Sequence, residues 1–575
     1  MISYIKIMNG KTIQTQSEHR VSLRKLTEDE IDGLKQNGCH SSDWSKINVA
    51  SDFDVNRISH VHFVGDVAIS TGVSLKNIMG GIGNCTIGEN TVIENVDRIF
   101  YEPESECGLG IEVNVLDESG SRAVRIFPGL SAQAATLIAR EPKWFENKIQ
   151  PTFREFLDNF HIKQRIGNNC IIKDCGRLIN VSIGDNIIIE GASSLVNGII
   201  INNSPNQKPM LFIGNDVDAR DFIVEDGKLD SGALVRNCYI GQGVEIEKRA
   251  TAHDSLFFSN SNFENGEACA LLAGPYTVSM HKGTLLIGCQ TSFMNAGSST
   301  NESNHMYKLG PVHWGILERG VKTSSGAYVM FGAKIGAFSM VMGAHKTHPD
   351  SSSFPFSYLF GDEKGATVVV PGAMLRSCGL LRDEKKWPTR DRRLKRRVPL
   401  IDNITFNVLN PATVDKMLEA LGTITELLSH PADDDLFVRH KGMKFTRAAL
   451  ERAKALYTAA IYKYLSMTLP GNKFPEKSAE TPQQWIDLSG QIITRDTLSA
   501  LLEKTSLTEV QQLLDDAFNN YTKDELQWIA SRFGDQWRLS PAEIAVHAKM
   551  FDDMVEEDRK EYLENLDRET KMLSL

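Results

Sequence analysis

The stretch IGDNIIIEGASSLVNGIII at residues 183–201 places an aliphatic side chain at every sixth position: Ile183, Ile189, Leu195 and Ile201. The same step recurs in five other sets: Ile87 and Ile93; Ile166, Ile172 and Leu178; Leu234, Ile240 and Ile246; Val329, Ile335 and Val341; and Val368, Met374 and Leu380. This period fits neither an amphipathic helix nor a half-buried strand, which repeat at about 3.6 and about 2 residues. It fits a coil with three flat sides, each turning one aliphatic residue inward.

Small residues support the same interpretation. The residue after the aliphatic is often Gly, as at Gly167, Gly184 and Gly241, and a small or β-branched residue often follows four places after it. Glycine relieves the backbone where a coil bends, and stacked coils bury a continuous aliphatic column. The pattern resembles the hexapeptide-repeat superfamily of trimeric left-handed β-helices. The predicted fold class is mainly β, a left-handed parallel β-helix, although left-handed crossovers are exceptions among parallel strands.

Changes of pattern along the chain predict the domain organisation. After residue 402 the period becomes helical, and Thr27 with Glu30 forms a capping box near the N-terminus. The predicted segments are a mixed lead-in at 1–60, first coils at 61–97, an insertion with a β-hairpin and a helix at 98–160, the main β-helix at 161–381 with a loop-rich part at 260–317, a basic linker at 382–401 and an α-helical domain at 402–575.

Composition excludes several classes of protein. A formal charge of −10 argues against a nucleic-acid-binding protein. The nine cysteines form no C-x-x-C pair, which favours a reducing compartment over a disulfide framework. No apolar run approaches the roughly 18 residues of a membrane span, and the N-terminus lacks the apolar core of a secretory signal. We therefore expect a cytoplasmic protein.

Histidines cluster in one region, with six of the fourteen at positions 253, 281, 305, 313, 345 and 348. In the acyltransferases that the β-helix pattern resembles, a loop histidine acts as general base, a role that suits its near-neutral pKa. By that resemblance His345, and after it His348, is the expected base on a loop leaving a coil corner. The alternative is that each histidine only forms a structural hydrogen bond within a loop.

Other polar residues of this region are candidates for substrate binding. Lys282, Arg319, Lys322 and Arg376 suit a phosphate or a carboxylate, and Asn295, Asn304 and Glu318 suit sugar hydroxyls. His281, His305 and His313 complete the candidate set. Surface charges are usually only solvated. The basic run at 382–397 is interpreted first as a charged strap and only second as a phosphate site.

A second resemblance covers most of the chain. The stretches NGEACALLAGPYTVSMHKGTLLIG, SNHMYKLGPVHWGILERGVKTSSGAYVMFGAKIGAFSMVMGAHKTHPD and KWPTRDRR resemble an uncharacterised group of bacterial β-helix proteins from Bacteroidetes and spirochaetes. That group supplies no activity. The superfamily implies acyl transfer from acyl-CoA or acyl carrier protein to a sugar or nucleotide-sugar acceptor in a homotrimer. The large helical C-terminus departs from the short caps of typical members, and no Gly-rich nucleotide signature opens the chain.

Two alternatives stay open. One is a zinc enzyme resembling the γ-class carbonic anhydrases, with His345 and His348 plus His281, His305 or His313 as ligands, although the spacing does not match that family's usual pair. The other is a non-enzymatic trimeric scaffold whose helical domain recruits a partner. A bound metal favours the first alternative, and indifference to every small ligand favours the second.

Overall fold

The computed structural model describes residues 23–160, 162–206, 208–303, 314–429, 436–481 and 483–573. The chain divides into two compact units. Unit 1 comprises residues 1–283, 391–402 and 505–508, and unit 2 comprises residues 284–390, 403–504 and 509–575. Both units contain coils of a parallel β-solenoid, about 17 turns in all, and the helices of the C-terminal region run between residues 411 and 565. The predicted fold, mainly β with a parallel β-helix and a helical C-terminal region, is confirmed.

Unit 1 contains most of the longer strands. They are β1 (Leu23–Lys25), β2 (His40–Ser41), β3 (Ile47–Ala50), β4 (Ile58–Ile69), β5 (Ser74–Ile87), β6 (Val92–Phe100), β7 (Glu112–Asn114), β8 (Ala123–Arg125), β9 (Arg165–Ile166), β10 (Ile171–Ile183), β11 (Ile187–Glu190), β12 (Ser194–Ile201), β13 (Met210–Ile213), β14 (Asp218–Glu225), β15 (Lys228–Leu229), β16 (Leu234–Ile240), β17 (Glu245–Glu247), β18 (Thr251–Phe257), β19 (Asn262–Glu264), β20 (Glu267–Cys269), β21 (Leu272–Ala273) and β22 (Val278–Ser279).

Unit 2 contains shorter strands and, among its described residues, three antiparallel hairpins. They are β23 (Leu285–Ile287), β24 (Cys289–Thr291), β25 (Asn295–Ala296), β26 (Asn301–Ser303), β27 (Gly315–Leu317), β28 (Lys322–Thr323), β29 (Tyr328–Met330), β30 (Lys334–Ile335), β31 (Met340–Met342), β32 (Ala344–His345), β33 (Tyr358–Gly361), β34 (Thr367–Val370), β35 (Phe437–His440), β36 (Met443–Thr446), β37 (Trp485–Leu488) and β38 (Gln491–Thr494). The pairs β35–β36 and β37–β38 are antiparallel hairpins within the helical region.

The α-helices follow in chain order. They are α1 (Glu28–Gln36), α2 (Ala132–Arg140), α3 (Pro142–Trp144), α4 (Gln150–Asp158), α5 (Cys378–Thr389), α6 (Arg392–Arg396), α7 (Pro411–Ser429), α8 (Arg447–Thr468), α9 (Arg495–Leu501), α10 (Leu507–Arg532) and α11 (Pro541–Leu573). A π-helical turn at Phe145–Ile149 joins α3 to α4. The Thr27–Glu30 capping box at the start of α1 is present as predicted. None of the helices in the described part of the chain is long and apolar enough to cross a membrane.

The core of unit 1 is built from three columns of inward-facing side chains. Parallel pairing stacks them rung on rung: Ile58, Leu75, Ile93, Ile172, Ile189, Ile213, Leu229, Ile246, Phe263 and Ser279; Phe63, Ile82, Ile99, Leu178, Leu195, Ala219, Val235, Ala252 and Ala268; and Ile69, Ile87, Ile166, Ile183, Ile200, Val224, Ile240, Phe257 and Ala273. Every member is at most 2% exposed. Burying one such aliphatic side chain contributes about 1.5–3 kcal/mol, so the columns are the main source of stability.

The column register corrects the predicted hexads in unit 1. Ile183 pairs with Ile200, not with Ile201, and the buried residue of the next coils is Val235, not the exposed Leu234. In the coils from Ile166 to Ile200 two sides advance by six residues and the third takes five, and a later coil has a second five-residue side, between Val224 and Leu229. A strict step of six therefore drifts out of register once it crosses the third side.

Predictions for the later coils were partly wrong. Val329, Ile335 and Val341 face inward as predicted. Residues 262–303 form short strands of the solenoid, not loops, because buried Ser and Thr replace aliphatics there. The hexad at Val368, Met374 and Leu380 does not exist: β34 pairs antiparallel with β33, and the two later residues lie in helical turns.

The corners of the coils carry ladders of asparagine and aspartate. Asn77, Asn95 and Asp174 adopt φ of 56°, 56° and 53°, the left-handed region that Asn and Asp tolerate best after Gly. Their side chains hydrogen-bond along the stack, from Asn77 to Asn95 and from Asn95 to Asp174, at 2.8 Å each. These hydrogen bonds connect the corners of successive coils. They were not predicted from the sequence.

The insertion, predicted at 98–160, begins only after β6 ends at Phe100, and it lies against the third side of the unit 1 coils. It holds the β7–β8 hairpin and helices α2 to α4, close to the predicted hairpin and helix. Its backbone N–H groups donate from Leu116 to the Ala270 carbonyl and from Gly129 to the Glu225 carboxylate. The outward-facing Tyr239 on this side is 1% exposed. The insertion is therefore packed onto the solenoid.

Residues 391–402 form a strap along the unit 1 coils, whereas residues 382–389 of the basic run lie in helix α5. Arg393 is 2% exposed and forms an ion pair with Asp391 at 2.8 Å, while its Nη1 donates to the Asp402 carbonyl. Arg392 pairs with Glu245 at 2.8 Å, and Arg396 with Asp226 at 3.5 Å. The guanidinium groups of Arg392 and Arg393 are satisfied by the protein itself, whereas the buried Nε of Arg396 has no hydrogen-bond partner among the described residues.

Removing one partner of the buried ion pair tests the strap. Arg393→Ala leaves the Asp391 carboxylate buried without its cation, which costs about 3–5 kcal/mol. We expect a markedly lower Tm by differential scanning calorimetry. Lys395→Ala, an exposed change on the same helix α6, is the control and should shift stability by less than about 0.5 kcal/mol. Equal Tm values for both variants would contradict the role of Arg393.

One inward-facing column of unit 2 contains two ionisable side chains. Leu286, Glu302, Val329 and His345 stack on successive rungs. Glu302 is 0% exposed, and neither carboxyl oxygen has a hydrogen-bond partner of good geometry among the described residues. Burial raises its pKa to about 8, and the nearby Cys289 thiol offsets only part of that shift. The carboxyl is packed so closely that a methyl group on Gly315 would lie 2.3 Å from it.

The buried carboxyl predicts a pH dependence of stability. Its pKa is raised on folding, so the unfolded chain releases the proton first, and the free energy of unfolding falls as pH rises from about 4.5 to about 8. Glu302→Gln removes the ionisable carboxyl and with it this fall in the free energy of unfolding. We expect the variant to gain Tm over the parent at about pH 9 but not at about pH 4. A Tm difference that is the same at both pH values would show that Glu302 does not ionise in this range.

Candidate functional site

His345, the first candidate for the general base, lies inside the solenoid. It is on β32, not on a loop, and is 0% exposed. Its Nδ1 hydrogen-bonds with Thr367 Oγ1 at 2.8 Å and its Nε2 with the Met342 carbonyl at 3.2 Å. Burial lowers its pKa to about 4. The predicted loop position is wrong because the coil continues past Val341, so that His345 stacks on Val329 in the core and its imidazole is satisfied there.

His348 does not join His345 in a metal site. Its Nδ1 is hydrogen-bonded to the Phe331 carbonyl, and both ring nitrogens of His345 have internal partners. Across the described ranges no three His, Cys, Asp or Glu side chains are grouped so that they could hold a metal ion. His305 and His313, two of the suggested third ligands, lie outside the described residues, as does Asn304.

Arg319 is a buried clamp within unit 2. Its side chain is 1% exposed, and Nε donates to Asp487 at 2.6 Å. Nη1 and Nη2 donate to the carbonyls of Thr405 and Gly490, and the guanidinium lies 4.5 Å above the Phe293 ring. All of this binding capacity is used to hold the β37–β38 hairpin against the coil. Arg319 is therefore not available to a substrate.

The remaining candidates do not form one site. Asn295 and Lys322 are neighbours on adjacent rungs, but Lys322 pairs with Asp383 of α5 at 2.5 Å. Glu318 accepts a hydrogen bond from the Ala337 backbone N–H. Arg376 makes a partly exposed pair with Glu557 at 3.4 Å. His281 and Lys282 lie in an exposed turn of unit 1.

One side of the unit 1 coils presents a different set of polar groups, here called the basic wall. It consists of the strand segments 98–100, 177–179, 194–196, 218–220, 234–236, 251–253 and 267–269, stacked in parallel register. The middle residue of each segment faces inward, so the two flanking residues face out. Four arginines stand on this side against two carboxylates, in a chain of net charge −10.

The guanidinium groups of the basic wall are suited to an anion. Arg220 and Arg236 pair on adjacent rungs, which lie about 4.8 Å apart in a parallel ladder. Arg236 is fixed by Asp218, at 2.8 Å to the carboxylate, whereas Arg220 is exposed. A guanidinium offers several donors in a rigid plane and binds phosphate or carboxylate in bidentate fashion. Two of them on neighbouring rungs can hold one phosphate-bearing group.

His253 stands on the rung after Arg236 and, like Arg220, is exposed. Its side chain is 53% exposed, and Nδ1 is 3.8 Å from the Asp254 carboxylate, an electrostatic neighbour beyond hydrogen-bond distance. Asp254 also accepts from the Asn237 side chain and from the Asn114 N–H of the insertion hairpin. The hairpin therefore borders the wall at the rung of His253.

Sequence reasoning counted His253 in the histidine cluster but assigned it no role, and it missed Arg220 and Arg236. The sequence nevertheless contains a spacing that could have identified them. Each of the three directly follows an inward residue of the second column, Ala219, Val235 or Ala252, one coil apart. Once the five-residue side is known, this spacing places all three on one face.

A buried carboxylate cluster in unit 1 explains another group of polar residues. Glu225 accepts hydrogen bonds from Gly129 N, Tyr239 Oη and Asn203 Nδ2 at 2.6, 2.9 and 3.0 Å. Burial, with Asp226 beside it, raises the pKa of Glu225 to about 7. Its oxygens are fully used in joining insertion and coil, so the cluster is structural.

Comparison with known proteins identifies a family. No curated protein matches the chain. A family model described as a domain of unknown function, DUF4954, matches residues 23–81 and 68–428. The match covers the solenoid, the strap and helix α7 but not the helices after it. Because it extends over more than half of the sequence, the chain belongs to the DUF4954 family.

Proposed function

We propose that this chain is a transferase of the left-handed, hexapeptide-repeat type that acts on a sugar or nucleotide sugar carrying a phosphate or carboxylate. The observation that carries the proposal is the row Arg220, Arg236 and His253 on three successive rungs of the basic wall. It combines two anion-binding groups with one exposed imidazole within about 10 Å.

The chemistry assigned to this row is acyl transfer. The two guanidinium groups hold the anionic part of the acceptor, and His253 takes the proton from its hydroxyl or amine. The acceptor oxygen or nitrogen then attacks the thioester carbonyl, the carbon–sulfur bond breaks, and the protonated imidazole returns the proton to the leaving thiolate. His253 replaces His345 in this role because His345 is enclosed.

The donor and the assembly belong to the same proposal. Acyl-CoA or acyl carrier protein supplies the thioester, and a homotrimer brings the basic wall of one subunit to face another. In unit 1 the insertion packs on the third side of the later coils and borders the basic wall at Asp254 and Cys269, while Arg220 and His253 stay exposed. Light scattering of the purified protein measures the subunit number directly.

Ligand binding tests the basic wall. A nucleotide sugar or hexose phosphate should raise the Tm of the parent by mass action, and added salt should weaken the effect. Arg220→Ala removes an exposed guanidinium without leaving a buried partner, so we expect unchanged Tm without ligand and loss of most of the shift. Lys173→Ala removes a cation from another side of the coil and should keep the shift.

These binding measurements distinguish the transferase from a non-enzymatic scaffold. A shift that survives Arg220→Ala would move the binding site away from the basic wall. If no anionic ligand or thioester changes the Tm, the transferase proposal fails, and a scaffold whose solenoid or helical region binds a protein partner takes its place.

A second variant separates binding from chemistry. His253→Asn removes the base but leaves both arginines, so the ligand-induced Tm shift should remain while acyl transfer from acetyl-CoA falls by about 100-fold or more. Free thiol release, followed with a chromogenic reagent, measures the transfer. His345→Asn is the comparison. Turnover lost there, but retained in His253→Asn at equal Tm, would restore His345 as the base.

A further inference from the structure

A shallow groove on the first coils of unit 1 is distinct from the basic wall. Its volume is about 320 Å³, and its floor is formed by Asn48, Ala68 and Thr86 on three successive rungs. These residues belong to the third side of the coil, next to the column Ile69–Ile87, whereas the basic wall follows the column Ile82–Ile99. The groove and the wall therefore face different directions.

The rim of the groove is held in place by backbone hydrogen bonds. Asn84 accepts from the Asp66 N–H at 3.2 Å and donates to the Tyr101 carbonyl at 2.9 Å. Gln164 donates to the Glu102 and Pro103 carbonyls at 2.7 Å each, which ties the end of the insertion to its beginning. Both amides are thereby oriented before any ligand arrives, which lowers the entropic cost of binding.

Several polar groups of the lining have unused hydrogen-bonding capacity. In the described part of the chain the side chains of Asn48, Asp66 and Thr86 make no hydrogen bond, and Gln164 keeps its Oε1 free. Together they offer a carboxylate, a free amide oxygen, a complete amide and a hydroxyl. Ala68 and Pro103 supply small apolar surfaces between them.

We infer that this groove binds a neutral sugar. Each sugar hydroxyl donates and accepts at once, and the mixed set of acceptors and donors in the lining matches that property. The one carboxylate of the lining, Asp66, makes the groove unsuitable for a phosphate. The Asp66 carboxylate and the amide side chains can form hydrogen bonds with sugar hydroxyls at defined positions. The C–H face of a hexose packs on Ala68 and Pro103.

The inference is independent of the proposed transferase, because a sugar bound here would not touch Arg220 or His253. It gives the protein a second recognition site, for a carbohydrate without charge. A shallow groove predicts weak binding, in the millimolar range typical of few contacts.

Saturation-transfer NMR with glucose, galactose and N-acetylglucosamine tests the groove, with glycerol as the probe for non-specific contact. At least one hexose should bind saturably and glycerol should not. Thr86→Trp fills the floor and should weaken binding by at least about tenfold, and Asp66→Ala, an exposed change, by several-fold. Thr251→Trp, a like change on the basic wall, should leave hexose binding unchanged.

Three results would overturn the inference. No hexose binds the parent protein; or Thr86→Trp and Asp66→Ala both bind as the parent does; or Thr251→Trp removes binding, which places the sugar on the basic wall. Equal Tm values without ligand show that each variant is folded, and Asp66→Ala keeps the test decisive if Thr86→Trp is unstable.

Discussion

The register between successive coils is the constraint on which the rest of this molecule depends. An inward side chain is buried only if the coils above and below it place theirs in the same column, as Ile172 does between Ile93 and Ile189. A shift by one residue would turn the aliphatic row to solvent. Everything at the surface is therefore fixed by position relative to a column, including the row formed by Arg220, Arg236 and His253.

The same constraint explains why polar groups inside the solenoid are isolated and those outside are grouped. In the column of unit 2, Glu302 and His345 are each enclosed by apolar neighbours and differ in how they are satisfied: the histidine has Thr367 and Met342, and the glutamate has no partner of good geometry among the described residues. On the outside, the rung spacing brings like positions together, so charge accumulates in rows. Function is more readily built on the outer faces than in the core.

The sequence predicted the solenoid, the insertion and the helical C-terminus, because aliphatic spacing and helical periodicity are local signals. It did not predict the five-residue side, and for that reason Ile201 and Leu234 were placed inward in error. His345 was misplaced because whether a histidine at the end of a hexad faces in or out depends on the pairing of β29 with β32, which only the fold shows. The grouping of Arg220 with His253 likewise depends on coil length.

The insertion has a consequence for how the chain reaches this structure. Most rung neighbours are about one coil apart in sequence, such as Arg177 and Ser194 at 17 residues, but across the insertion Asn95 and Asp174 are 79 residues apart. Closing that longer loop costs on the order of 1 kcal/mol more, and the cost falls on a single junction. The coils before and after the insertion can each fold locally from their own nucleus, as in other repeat proteins. The seam between β6 and β10 is then the late step of assembly in unit 1, and the place where a folding chaperone or a nascent-chain pause would have the most effect.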